Sequence, residues 1–333
     1  MKQTLSTLKY AVPALLVLAV IAFTGVGTAV TAQSPTATPS RPMGRGGPGG
    51  MSATPTAAQS FMNVAYATVS EAQKLDLYLP TGTGPFPLVI FVHGGAFKMG
   101  DKNMVGTDAN AFLTAGYAVA SINYRLTGEA IFPAQIQDAK AAVRFLRANA
   151  EKYSLNPDKF VAWGASAGGN IVAMLGTTGD VAELEGAELG NPDVSSRVQA
   201  VIDWFGPIDF AQMDPQFAAG GVCDASAQSH AAADSPESLL VGGALADKAD
   251  VVKAANPITY VTSDDPPFFI QHGLKDCNVP PAQSQQLADA LIPVIGAEKV
   301  SLSFFPEAGH GGSDFSTAEN FAKILAFLET VWK

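Results

Sequence analysis

Lys159-Phe160-Val161-Ala162-Trp163-Gly164-Ala165-Ser166-Ala167-Gly168-Gly169 is the stretch on which the fold turns. Lys159 to Trp163 reads as an apolar strand and Ser166 to Leu175 as a helix, so a Gly-x-Ser-x-Gly pentapeptide sits at a strand-turn-helix junction. Side chains at Gly164 and Gly168 would collide with neighbouring backbone as the helix leaves, and a turn this sharp holds Ser166 in a strained conformation. The helix N-terminus beneath Ser166 favours developing negative charge. Ser166 is therefore a candidate nucleophile. The pentapeptide alone is a moderate signal in a chain rich in Gly and Ala, so its surroundings decide.

Working outward, strands and helices alternate. Asn63 to Val69 and Lys74 to Leu79 are β-rich runs, and Pro87-Leu88-Val89-Ile90-Phe91-Val92 is a continuous apolar run of the kind found in a sheet covered on both faces. Asp108 to Ala115 follows as helix, Tyr117 to Ile122 as strand and Pro133 to Asn149 as helix. Pro133 stands at that helix's first turn, and Ile136, Ala139, Val143 and Leu146 form a buried stripe. Past Ser166 come strands near Val198 to Trp204, Pro267 to Gln271 and Val300 to Phe305, with helices Pro281 to Ile292 and Ser313 to Trp332. Alternation of this kind is α/β order. The stretch 206–260 is too long for an ordinary connection and reads as helices packed above the sheet's C-terminal edge.

The chain has 333 residues, 47% hydrophobic and 15% charged, enough for one large core. Residues 1–32 read as a secretory signal, with Lys2 and Lys9, an apolar run Ala11 to Phe23 and a small-residue end at Val30-Thr31-Ala32; an uncleaved membrane anchor is the alternative. Residues 33–60, dominated by Ser, Thr, Pro, Gly and Ala, read as a flexible linker, leaving 61–333 as the catalytic domain. The expected location is secreted or periplasmic. A formal charge of −10 disfavours nucleic acid and anionic membranes as partners, so no membrane partner beyond export is expected. Nothing in the sequence signals an oligomeric state. The two cysteines, Cys223 and Cys277, suggest a disulfide in an exported chain rather than a metal site, with two buried thiols as the alternative.

The rest of the chemistry falls around Ser166. His93-Gly94-Gly95-Ala96-Phe97 follows the strand ending at Val92, where glycines leave backbone N–H groups free to approach an oxyanion. Gly94 and Gly95 are the expected donors there and Ala167 the donor after the nucleophile, while His93 reads as holding the loop. Of the four histidines, His310 alone stands on a late, glycine-flanked loop after an apolar strand, as the base requires. His272 reads as a hydrogen-bonded strand-end residue, and His230 has no assignable role. Asp276, between Ser and His in sequence and on the loop leaving the penultimate strand, is the candidate orienting acid; Asp264 and Asp265 belong to the sheet's opposite edge. No metal or organic cofactor is implied.

Six segments together carry a family likeness: 93–97 with Gly100-Asp101-Lys102, Asn123-Tyr124-Arg125-Leu126, Phe132-Pro133-Ala134-Gln135, 164–169, Asp203-Trp204-Phe205-Gly206-Pro207 and Val279-Pro280-Pro281-Ala282-Gln283-Ser284. Over residues 62 to 332 the chain resembles the bifunctional acetylxylan/feruloyl esterase-like carboxylesterases, relatives of the hormone-sensitive-lipase-type esterases. The resemblance implies an α/β-hydrolase fold: a mostly parallel eight-stranded sheet, helices on both faces and a short inserted segment over the C-terminal edge. It also implies a carboxylic-ester hydrolase with the triad Ser166, His310 and Asp276, acting on small esters or acylated carbohydrate such as acetyl or feruloyl groups of plant polysaccharide. Ala96 stands where a third glycine is common. Phe97, Trp204 and Phe205 follow strand ends on the catalytic side and are expected to contact the acyl or alcohol group, with core packing as the alternative. A serine peptidase or amidase of the same fold, and a noncatalytic binding protein, are the competing readings; the first often shows Gly-x-Ser-Tyr-Gly-Gly and the second typically lacks a triad member, and neither pattern occurs here.

Overall fold

A computed structural model of the chain describes residues 54–220, 223 and 229–333. The expected signal 1–32 and residues 33–53 of the expected linker lie outside the described residues.

The strands are β1 Gln59–Ala65, β2 Lys74–Leu79, β3 Phe86–Val92, β4 Ala118–Ile122, β5 Leu155–Ala165, β6 Ala200–Trp204, β7 Phe268–Gly273 and β8 Val300–Phe305. They form one sheet in the order β1-β2-β4-β3-β5-β6-β7-β8. The pairs β1–β2 and β2–β4 are antiparallel and every pair from β4–β3 to β7–β8 is parallel. This is the mostly parallel eight-stranded α/β-hydrolase sheet. β1 starts at Gln59, ahead of the expected boundary at 61, and the Ala58 N–H already donates to Leu79 O. Pairing with β2 recruits this largely exposed edge strand, so its side chains carry little apolar signal.

Alternation along the strands divides the core. Leu88, Ile90 and Val92 of β3 face a layer built by helices α2 Ala134–Ala148, α3 Ala167–Thr177 and α8 Ala282–Ile295. Val89 and Phe91 face the other layer, where α1 Ala109–Thr114 and α9 Ala318–Val331 bury Phe112, Phe321, Ile324 and Leu328. Helices thus cover both faces, as a parallel sheet needs. Between β3 and α9 the shorter helices are α4 Ala182–Glu185, α5 Met213–Gly220, α6 Pro236–Val241 and α7 Ala249–Ala254. The last three belong to the inserted stretch after β6, and Leu240, Val241 and Val252 anchor α6 and α7 in the α2–α3–α8 layer. Among the described residues, no helix is long and apolar enough to cross a membrane.

Candidate active site

Ser166 is the single residue between β5 and α3, and it holds φ 57° and ψ −123°. For a residue with a Cβ, that conformation costs on the order of 1–3 kcal/mol and persists only where the surroundings enforce it. Enforcement is visible on both sides. A Cβ on Gly164 would collide with the Gly168 carbonyl, and one on Gly168 with the Val92 carbonyl, so the first turn of α3 packs directly on β3 and β5. The Ser166 N–H donates to Trp204 O at 2.9 Å, tying the turn to β6. Ala167 opens α3, and its N–H is among the donors that a helix leaves without an intrahelical partner.

The loop after β3 lies against this turn, because a Cβ on Gly94 would sit 2.8 Å from Ala165 O and 3.2 Å from Ser166 Cβ. No backbone acceptor among the described residues takes the N–H of Gly94 or Gly95. Gly95 has φ +114°, and a Cβ there would strike the Met99 carbonyl. Its own carbonyl accepts from Lys98 and Met99 N–H at 3.1 and 3.0 Å, and Ala96 tolerates φ 56° in the same turn. Buried His93 stacks on Tyr124 with centroids 4.4 Å apart, and its Nδ1 lies 2.7 Å from Gly94 O. Burial lowers the His93 pKa, against a smaller upward pull from the Gly94 carbonyl and Asp101. The Tyr124 hydroxyl donates to His93 O at 3.0 Å. Asn123 then ties Asp101 to Lys102, and Lys102 forms a buried ion pair with Asp76 of β2 at 2.9 Å. His93 thus holds the loop, and the Gly100-Asp101-Lys102 segment anchors its far side.

Asp276 and His310 stand on the loops following β7 and β8, joined by the Lys275 N–H donating to Ala308 O at 2.9 Å. His310 Nε2 lies 2.8 Å from Ser166 Oγ and Nδ1 lies 2.7 Å from Asp276 Oδ2. The structure therefore brings together three side chains separated by up to 144 residues in sequence. Asp276 is buried, and burial pulls its pKa upward. Hydrogen bonds from His272 and His310, then the charges of His310 and His272, overcome that pull and hold the carboxyl well below the usual carboxylate range. Its Oδ1 accepts from the Asn278 and Val279 N–H groups at 2.7 and 3.0 Å.

For the three aromatic residues burial favours core packing, the alternative to substrate contact. Trp204, 4% exposed, turns into the α9 layer against Trp163, Phe315 and Phe321, because side chains alternate across β6 and its position faces away from the α3 side. Phe97 is 1% exposed and packs on Phe210, leaving no surface for a substrate. Phe205, also buried, adopts φ 46° just past β6, and its ring packs against that of His310 with centroids 4.7 Å apart.

His272 is the hydrogen-bonded strand-end residue expected, but its partners, and the whole of Asp203's setting, are not legible in the sequence. His272 lies inside β7 and bonds Asp276 on one side and Ser284 of α8 on the other. Asp203 of β6 lies under the first turn of α3, where a Cβ on Gly169 would collide with its Oδ1. Oδ1 accepts from the Gly206 N–H at 3.0 Å, while buried Oδ2 has no hydrogen-bond partner among the described residues. Burial pushes this carboxyl up to about 7, against a smaller downward pull from Gly206. Its place in Asp203-Trp204-Phe205-Gly206-Pro207 was the one available signal. Cys223 and Cys277 are bonded to each other, so the inserted stretch is tied to the residue after Asp276. Among the described residues, no group of three or more His, Cys, Asp or Glu is arranged to hold a metal ion.

Known proteins sharpen the picture. The BD-FAE family model matches residues 75–291. A bifunctional GH43-CE protein of Bacteroides eggerthii is 35% identical with a TM-score of 0.73, over 82% of this chain and 35% of that one. A truncated carbohydrate esterase from gut microbiota is 34% identical with a TM-score of 0.75, over 83% of this chain and 97% of that one. Esterase LipC of Mycobacterium tuberculosis is 31% identical over 245 residues, 72% of this chain and 57% of LipC. The chain spans a little over half the length of the curated Lip relatives that head its matches.

Proposed function

The chain belongs to the BD-FAE family, and from that premise we propose that it is a serine carboxylic-ester hydrolase working through an acyl-enzyme on Ser166. The observation that carries the reading is His310, which reaches Ser166 Oγ with one nitrogen and the ionised Asp276 with the other. In the proposed reaction His310 Nε2 takes the hydroxyl proton as Oγ attacks the ester carbonyl. Asp276 fixes the tautomer with hydrogen on Nδ1 and stabilises the imidazolium that forms. The N–H groups of Gly94, Gly95 and Ala167 receive the oxyanion, and each such donor is typically worth about 3 kcal/mol in the transition state. His310 returns the proton to the leaving alcohol, and water then cleaves the acyl-enzyme by the same route.

The carbohydrate-esterase neighbours support an acylated carbohydrate as the substrate class, and acetyl or feruloyl groups of plant polysaccharide are the proposed acyl groups, with small acyl esters as simpler analogues. A secreted or periplasmic enzyme suits that substrate, and the Cys223–Cys277 bond suits an oxidising compartment. The test is a panel of p-nitrophenyl acetate, p-nitrophenyl butyrate, methyl ferulate and acetylated xylan, offered to the wild type and to Ser166→Ala. Turnover of an ester by the wild type and its loss in the variant are expected. Absence of turnover on every ester by folded wild type would overturn the proposal.

A further inference from the structure

Asp276 serves two histidines. Its Oδ2 lies 2.7 Å from His310 Nδ1 and 3.2 Å from His272 Nε2. His272 is fully buried in β7, and its Nδ1 lies 2.7 Å from Ser284 Oγ in the first turn of α8, a hydroxyl that is itself fully buried. Two Ser–His pairs, Ser166–His310 and Ser284–His272, therefore meet at one carboxylate oxygen.

The hydrogen positions of the second pair follow from its neighbours. His272 Nε2 faces two acceptors, the Asp276 carboxylate and the Val279 carbonyl at 3.0 Å, so Nε2 carries a hydrogen. Nδ1 then has the Ser284 hydroxyl as its donor, which locks that tautomer. The titratable groups around His272 are Asp276 on the loop after β7 and His310 on the loop after β8. Phe205 presents an apolar ring 6.3 Å away, and His230 in the inserted stretch feels the Asp276 charge. Lys275 and Glu307 pair with each other at the surface of the two loops.

We infer that His272 is a positioning residue for the proposed ester hydrolysis, its Nε2–H occupying part of Asp276 Oδ2 and limiting how tightly that oxygen holds the Nδ1 proton of His310. The inference rests on the esterase reading above. A carboxylate in a dry site with a single imidazole partner would stabilise the imidazolium strongly and keep the base protonated to higher pH. A second donor on the same oxygen competes with that pull and also fixes the carboxylate in place.

The test is the pH profile of kcat/KM on p-nitrophenyl acetate for the wild type, Ser166→Ala, His272→Phe and His272→Gln, with thermal melts of each. Phe keeps a ring and loses the donor, whereas Gln can place an N–H where Nε2 was. His272→Phe should lower kcat about tenfold with KM within about twofold, and move the acid limb up by about half a pH unit. His272→Gln should restore the limb. If the Phe variant does not fold, His272→Asn, whose amide reaches Ser284 and not Asp276, carries the same expectation. A folded Phe or Asn variant with an unmoved acid limb and wild-type kcat, altered only in its melt, would overturn the inference alone. Turnover surviving in Ser166→Ala would overturn the esterase reading and this inference with it.

Discussion

The two serine–histidine pairs that converge on Asp276 have similar spacing, 2.8 Å from Ser166 Oγ to His310 Nε2 and 2.7 Å from Ser284 Oγ to His272 Nδ1, but they turn opposite ring nitrogens to the serine and to the carboxylate. Their settings differ. Ser166 is partly exposed and strained, with the N–H groups of the Gly94-Gly95 loop beside it, and the His310 side chain keeps 16% of its surface. Ser284 sits in regular helix, and both it and His272 are sealed from solvent. The serine-to-imidazole distance is thus common to both pairs, whereas access, backbone strain and the neighbouring Gly94-Gly95 loop belong to one. In the proposed reaction the exposed pair carries the chemistry and the buried one supports it.

Breaking the pairs separately should give the largest contrast. Ser166→Ala should lower kcat roughly 10⁵-fold, while Ser284→Ala should stay within about threefold and cost about 1 kcal/mol of stability, read from kinetics and denaturant melts. Asp276→Asn strikes both pairs, because an amide NH2 facing two imidazole N–H groups accepts from neither. A fall in kcat of roughly 10³- to 10⁴-fold is expected, with a lower melting temperature than Ser166→Ala shows.

Support from farther away should matter less. The Cys223–Cys277 bond closes a 54-residue separation, and on the chain-entropy model it contributes up to about 4 kcal/mol. The double Cys→Ser variant should melt lower and lose several-fold in kcat, since Cys277 adjoins Asp276; an unchanged melt and unchanged activity would remove the bond from the account. Asp203 gives a smaller effect than the disulfide, with a definite sign. Its folded pKa is raised from 3.8 to about 7, so between those values the folded chain binds more protons than the unfolded chain. Stability therefore falls as pH rises through that window and does not recover above it. Asp203→Asn should flatten the loss between pH 5 and 8 by about 2 kcal/mol, measured as denaturant midpoints at each pH.

What the sequence displayed follows the same division. The elbow around Ser166 was legible because strain demands small residues at fixed positions. Elimination among four histidines reached His310, and chain order reached Asp276. Helices and parallel strands announce themselves through long apolar runs, while β1, held by backbone pairing, begins several residues before its β-rich signal at Asn63. The buried pair was hidden because Ser284 meets His272 only after α8 folds back onto β7, and neither residue looks unlike ordinary core. Trp204 and Phe205 show the limit of counting from a strand end. Adjacent in sequence, both rings pack on Phe315, because Trp204 obeys strand alternation while Phe205 turns through a positive φ, and Phe205 also reaches the His310 ring.

The central claim is that Ser166, and not its buried counterpart, forms the acyl-enzyme. The direct measurement is mass spectrometry of peptides from protein treated with an organophosphate ester, which traps an activated serine as a stable adduct. The account predicts one adduct, on the peptide containing Ser166, with Ser284 unmodified and ester turnover abolished in step with labelling. An adduct on another residue, or full labelling of Ser166 with turnover undiminished, would contradict it.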